Sequence, residues 1–341
     1  MTLLRNVLIV FLMVSVIAIS QFAGPGLNFT DSSELWGKRI AGEPINQLQA
    51  ALLDYRLWRA ATALLIGAAL GLAGMMLQAV LANPLSDPYI LGISSGAGAG
   101  VALAALLGLP VSLSVGVIGG NMMAGLAGSA LAIAVVLSFA GRMRPSMAGS
   151  LVIVGVMVGS FLSAIAMLAL SMSPGRDQGA VLLWMLGDLG SPNHGPVQAL
   201  GLATIVIPVA LLALWRRREL DLMLAGEESA YTAGANVVRW RIIFILLAAL
   251  ATTAAVVVAG TIGFVGLFVP HLARLWLGAG HGRLTLGTLL LGALVVLAAD
   301  TVSRILVGGL NLPALPCGVI TALIGAPYFL FVLRKKVWVN S

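Results

Sequence analysis

From Val7 onward the chain passes through one long apolar run after another, each closed by a short basic or Gly/Pro-rich break. In hydrocarbon no water satisfies a peptide group, so such runs cross a bilayer as helices of about 20 residues. Charged residues make up 9% of the 341, far below the roughly 25% of soluble domains. The expected fold is an all-α integral membrane protein, with residues 1–341 as one transmembrane domain. Its 41 glycines suit that reading, because small residues let helices approach closely in lipid.

Hydropathy and helix breakers predict ten spans, near 7–23, 60–81, 90–107, 113–139, 148–170, 197–214, 242–260, 263–277, 284–306 and 316–333. The first, after Arg5, has the look of a signal peptide, but an inner-membrane protein has no need of cleavage and it is kept as a span. The eighth carries Pro270, His271 and Arg274, and charge parity decides in its favour. Ten crossings put Arg5 and the terminal Arg334-Lys335-Lys336 on the same, cytoplasmic side. Thirteen of the 19 basic residues then lie inside, as the positive-inside bias requires. Arg56, Arg59 and Arg304 are among the exceptions outside.

The net charge of +7 follows from that bias, and no basic stripe interleaved with aromatics points to nucleic acid. The single Cys317 excludes an internal disulfide or a cysteine metal cluster. No phosphate-binding loop and no His-Glu-x-x-His occurs. Few ionisable residues fall within spans: His271, Arg274, Asp300 and Arg304. Asp300 and Arg304, four apart, read first as a mutually satisfied ion pair and second as a proton relay. The chain thus reads as a conduit without an engine, neither catalytic nor in need of a cofactor.

Two polar segments remain, 24–58 outside and 215–241 inside. There is also a trace of internal duplication. "NPLSDPYILGISSGAG" after the second span parallels "GTIGFVGLFVPHLARL" after the seventh: long helix, break, short helix. The two run in opposite directions, as in the inverted repeats of transporters. Pro84 and Pro88 end the helix, Asn83 can bond the freed backbone groups, and the Gly/Ser/Ala tract lets the third span pack tightly.

The stretch "RLWRAATALLIGAALGLAGMMLQAVLANPLSDPYILGISSGAGAG" resembles the FecCD family, the membrane subunits of type II ATP-binding-cassette (ABC) importers. "LLWMLGDL", "LMLAGEESAYTAGANV", "GTIGFVGLFVPHLARL", "AADTVSR" and "LPCGVITALIGAPYFLFVL" follow in the family's order, covering about 55–335. The chain departs from it at Ala82, where Arg is frequent, at Trp58 in an Arg-Leu-Pro-Arg pattern, and at Ala314 in place of Glu.

The resemblance implies a ten-helix subunit of the bacterial inner membrane, paired as a homodimer around a central pathway. Two ATPase subunits, which hold ATP and magnesium, would sit inside and a periplasmic substrate-binding protein outside. The cargo would be an iron–siderophore, haem, cobalamin or a related chelate. It further implies a cytoplasmic gate at Asn83 and Leu85 and a pathway lined by the fifth span with Gly155, Gly159, Ser160 and Ser163. ATPase coupling would fall to Leu222, Ala225, Gly226, Glu227, Ala230, Tyr231 and Gly234. Exposed arginines Arg56, Arg59 and Arg304 would seat the binding protein; snorkelling of these side chains at the lipid interface is the other reading. An ion-coupled secondary transporter and a membrane-embedded enzyme are the rival classes.

Overall fold

The structure is a computed structural model that describes residues 2–22, 24, 29–109, 120–140, 148–173, 178–190, 195–224, 232, 236–310 and 315–339. Among these residues it is wholly helical, with no strand. The helices are α1 (Thr2–Phe22), α2 (Phe29–Ala41), α3 (Gln47–Val80), α4 (Ile93–Leu106), α5 (Gly120–Ala140), α6 (Ala148–Met172) and α7 (Gln178–Met185). They continue with α8 (Pro196–Trp215), α9 (Arg217–Leu224), α10 (Val237–Ala259), α11 (Val265–Leu277), α12 (His281–Leu310) and α13 (Cys317–Val339). A helix lies on each of the ten expected spans. Six are long and apolar enough to cross a membrane; the other four, α1, α4, α11 and α13, are shorter apolar helices over the described residues.

The outer polar segment is not a loop. Residues 29–41 form α2, and α3 starts thirteen residues before the expected span, at Gln47. Asn46 starts it with a reciprocal cap: its side chain accepts from the Leu48 amide, and Gln49 accepts from the Asn46 amide. Such a cap satisfies donors that a helix start otherwise leaves orphaned. The inner segment is shortened too, since α9 begins at Arg217 and α10 at Val237, so Arg239 and Arg241 sit in the first turns of a helix.

The core is built on α3, from Ala60 to Val80 almost wholly buried among α8, α10, α11 and α12. Close packing there is backbone against backbone. A Cβ on Gly67 would fall on the Gly292 carbonyl, and one on Gly74 on the Gly266 carbonyl. Only glycine permits either crossing, and dispersion between closely apposed helices replaces the hydrophobic drive that lipid cannot supply. A second cluster gathers α4, α5, α6 and α7 around Ala102, Ala132 and Ala166.

Candidate translocation site

The two breaks that look duplicated in the sequence interlock. Beyond α3, the Leu85 amide donates to Asn83 Oδ1 at 2.9 Å, and Asp87 caps a single 3-10 turn, Pro88–Leu91, by accepting from the Tyr89 amide at 2.8 Å. Partial burial of the Asp87 carboxyl pushes its pKa up to about 6, against the opposing pull of that amide. Gly92, at φ +72°, turns the chain into α4. Beyond α10, Gly260 at φ +73° and Phe264 at φ +67° make the second break before α11. Pro88 packs on Gly266, and the Tyr89 hydroxyl donates to the Ile262 carbonyl while accepting from the Ile262 amide, both at 3.0 Å. Gln78, fully buried in α3, donates to the carbonyls of Gly266 and Leu267 at 3.2 and 3.1 Å and accepts from Arg274 at 2.6 Å. Backbone freed at the second break is thus satisfied by side chains of α3 and of the first, so its polar groups are not left orphaned. The sequence singles out neither Gln78 nor Tyr89, and marks Arg274 only as an ionisable residue within a span. A glutamine within an apolar span was the available signal.

Beside this clasp, hydroxyls pair between elements. Ser163 on α6 donates to Ser95 at 3.0 Å, and Ser94 donates to Thr261 at 3.2 Å. Thr261 also borders a cavity of about 510 Å³ with Met185, Phe264 and α13 residues including Leu323 and Ala326. Along α6, Ile153, Met157, Ser160, Phe161 and Ser163 occupy an exposed face. Gly155 and Gly159, expected beside the serines, are buried and lie off this face. A Cβ on Gly155 would strike the Ile90 carbonyl, and Gly159 faces Gly92 at ordinary contact distance. The two glycines pack α6 against the Pro88–Gly92 turn, and only the two serines remain on the outward face.

At the other end of α3, the arginines expected on an exposed surface are enclosed. Arg56 and Arg304 are each 4% exposed, because α1 and α2 fold over them. Arg56 donates to the carbonyls of Gln21 and Gly24 and to Ser32 Oγ; Arg304 donates to the Ser20 carbonyl. Arg59 meets the fully buried Asp300 at 2.7 and 3.0 Å and donates to Tyr55, while Arg304 approaches the other Asp300 oxygen at 3.0 Å. The Asp300–Arg304 pair read from spacing is present, with Arg59 of α3 as a third member. Exposed charge, as expected for Arg56 and Arg304, is not what the structure places there.

At the end of α3 away from these arginines, Leu85 is 44% exposed at the tip of the first break and Asn83 is partly exposed beside it. Leu222 is half-buried on α9. Ala225, Gly226, Glu227, Ala230, Tyr231 and Gly234 lie outside the described residues.

This architecture, two crossed broken helices on a glycine-packed core, matches known proteins along nearly its full length. The profile of the FecCD transport family matches residues 7–335. The chain belongs to the FecCD transport family. It is 34% identical over 284 residues to the hemin transport system permease protein of Yersinia pestis, covering 83% of each chain. It is 37% identical over 282 residues to the Fe(3+)-citrate import system permease of Bacillus subtilis, covering 82% of this chain and 81% of the relative. A cobalamin import system permease of Halobacterium salinarum is 38% identical over 271 residues, 80% of this chain and 70% of the relative. A solved structure described as an inward-facing metal-chelate type ABC transporter superposes with TM-score 0.81 at 26% identity, covering 98% of this chain and 100% of that one. The FecCD chain is therefore a multi-pass membrane permease of the ABC importer class.

Proposed function

We propose that two copies of this permease enclose a pathway that carries a metal chelate from a periplasmic binding protein into the cytoplasm of a bacterial cell, across the inner membrane in ten helices per copy. The observation that carries the reading is the outward face of α6: apolar along its length, interrupted by Ser160 and Ser163, and beside the Ser94–Thr261 pair. Scattered hydroxyls on an apolar wall suit a large ligand that must slide rather than bind. Relatives whose names specify hemin, cobalamin and ferric citrate support a chelate, and an iron–siderophore is our first assignment.

In this reading two ATPase subunits, carrying ATP and magnesium, engage the segment from Leu220 to Val237, including Leu222, Ala225, Gly226, Glu227, Ala230, Tyr231 and Gly234. Asn83 and Leu85 form the inner gate. The binding protein seats on the outer end above the Arg56–Arg59–Arg304 cluster, whose role is to brace that end. The permease itself holds no catalytic site.

The test is the chain purified with its ATPase subunits and binding protein. The ligand retained by the binding protein should be a metal chelate, and its uptake into proteoliposomes should require ATP hydrolysis. Uptake by the chain alone, driven by an ion gradient without nucleotide, would instead make it a secondary transporter.

A further inference from the structure

We propose that the Asp221–His281 pair is the positioning link through which the coupling segment moves the α3–α12 pair. This rests on the reading of residues 220–237 as the ATPase-coupling element. Asp221 lies on α9, the last described helix before residues 225–231. Leu220 and Met223 anchor α9 in the core at 0% and 5% exposure. Asp221 stays on the outer side of the helix, its side chain 47% exposed, yet its Oδ1 accepts from the His281 backbone amide at 2.9 Å and lies 2.6 Å from His281 Nδ1. A carboxylate only accepts, so Nδ1 carries the hydrogen.

His281 is the first residue of α12 and its side chain is fully buried, with no hydrogen-bond partner for Nε2 among the described residues. A buried imidazole held on one side, by a residue of a different helix, takes its orientation from that residue. An exposed ion pair leaves its partners free to separate into water. Here separation would strand a buried donor, which is costly.

The link continues inward. The His281 carbonyl accepts from Thr285 Oγ1 at 2.6 Å, and the hydroxyls of Thr285 and Thr288 approach Met75 Sδ of α3 at 3.6 and 3.7 Å. At the next turns α3 and α12 touch through backbone: a Cβ on Gly71 would lie 2.6 Å from the Thr288 carbonyl, and Gly67 meets Gly292. Such helices cannot slide independently, because interlocked backbones deform poorly. Their far ends are joined by Arg59 and Asp300. Displacement of α9 is therefore delivered at His281 to a rigid pair that ends beneath the expected seat of the binding protein. Arg217 borders Gly282, and Arg274 contributes a further positive charge near His281.

A helix cap alone would also explain the amide contact, so the test needs a readout that capping does not move. That readout is stimulation of ATP hydrolysis by the binding protein, which docks on the opposite face and signals through the whole membrane thickness. In the full complex in nanodiscs, His281→Leu fills the buried volume without a donor, whereas His281→Asn places an amide N–H near the Nδ1 position. We expect His281→Leu to assemble with both ATPase subunits yet lose stimulation by about fivefold or more, the scale of a site-to-site coupling. His281→Asn should restore most of it. Full stimulation in His281→Leu overturns the proposal.

Hydrogen–deuterium exchange on the permease alone, in nanodiscs, tests without partners the premise of the link, that the pair holds α9 on α12. His281→Leu and Asp221→Ala should speed exchange of residues 217–224; unchanged exchange in both overturns the link. If the wild-type complex hydrolyses no ATP, the importer reading fails instead, and the exchange result still judges the link.

Discussion

The helices α3 and α6 are both apolar enough to cross a membrane, and they have opposite surroundings. In the most apolar stretch of α3, 83% of residues are buried; in that of α6, 28% are. In a soluble protein that contrast would be written as an amphipathic stripe. In a bilayer both surroundings are apolar, so hydropathy cannot report which helix is the core. What distinguishes α3 is its side-chain volume and its few polar groups: glycines where other backbones cross it, one buried glutamine, and arginines bonded at its outer end. The helix α6 uses two glycines on a single edge and presents Ile153, Met157 and Phe161 outward.

Four substitutions put that contrast at risk. The largest effect is expected from Asp300→Leu, which leaves Arg59 and Arg304 without their shared carboxylate. Breaking a buried pair in this way costs about 3–5 kcal/mol. The fall can be followed as heat-induced labelling of Cys317, which is 2% exposed and so silent until the fold opens. Next is Gly292→Ala, whose methyl group falls on the Gly67 backbone. Overpacking of this kind costs about 1–3 kcal/mol, and the same labelling should begin at a lower temperature.

Met157→Ala on the exposed face of α6 should change the stability of the single chain by no more than about 0.5 kcal/mol. Its effect should appear in pairing of copies, measured by cross-linking between cysteines introduced at Ile153. A large loss of single-chain stability would break the distinction between the two helices.

The smallest effect concerns Asp87 in the turn against which α6 packs. Its folded pKa, about 6, lies above the ordinary value of 3.8. The contribution of this group is therefore fully present below the ordinary value and is lost as pH rises through about 6. Hydrogen exchange of residues 86–92, corrected for its intrinsic pH dependence, should show more protection at pH 5 than at pH 7.5. Asp87→Asn should flatten the difference.

Much of the fold was legible because each helix has to satisfy its own backbone, which leaves a run of apolar residues between breakers as a direct record of a span. The extension of α3 down to Gln47 was written in the Asn46-Gln49 spacing of its cap, but polar residues after it hid the helix in an apparent loop. The arginines were harder. Charge bias assigns Arg56 and Arg304 to the outer side and then leaves them in water, since it knows nothing of α2, whose Ser32 accepts from Arg56. Gly155 and Gly159 are a related case: small residues that could line a pathway also let a packed edge approach closely, and beside Gly155 the Ile90 carbonyl takes the space. The likeness of the two breaks was legible in their similar order of residues, but their contact was not, since it joins residues 173 to 189 positions apart, beyond any local pattern.

That separation has a consequence in time. Ribosomes add about 5–20 residues per second, so Gln78 enters the membrane roughly 10–40 s before Leu267, 189 positions later, is made. Until then the amide of Gln78 and the hydroxyl of Tyr89 lie in a half-built chain without their eventual partners. The first half must be inserted and held, by neighbouring lipid, water or the insertion machinery, before the second arrives to close over it. Substitutions at Gln78 should accordingly be felt during biogenesis, as chains cleared by quality control, rather than as finished transporters that work slowly.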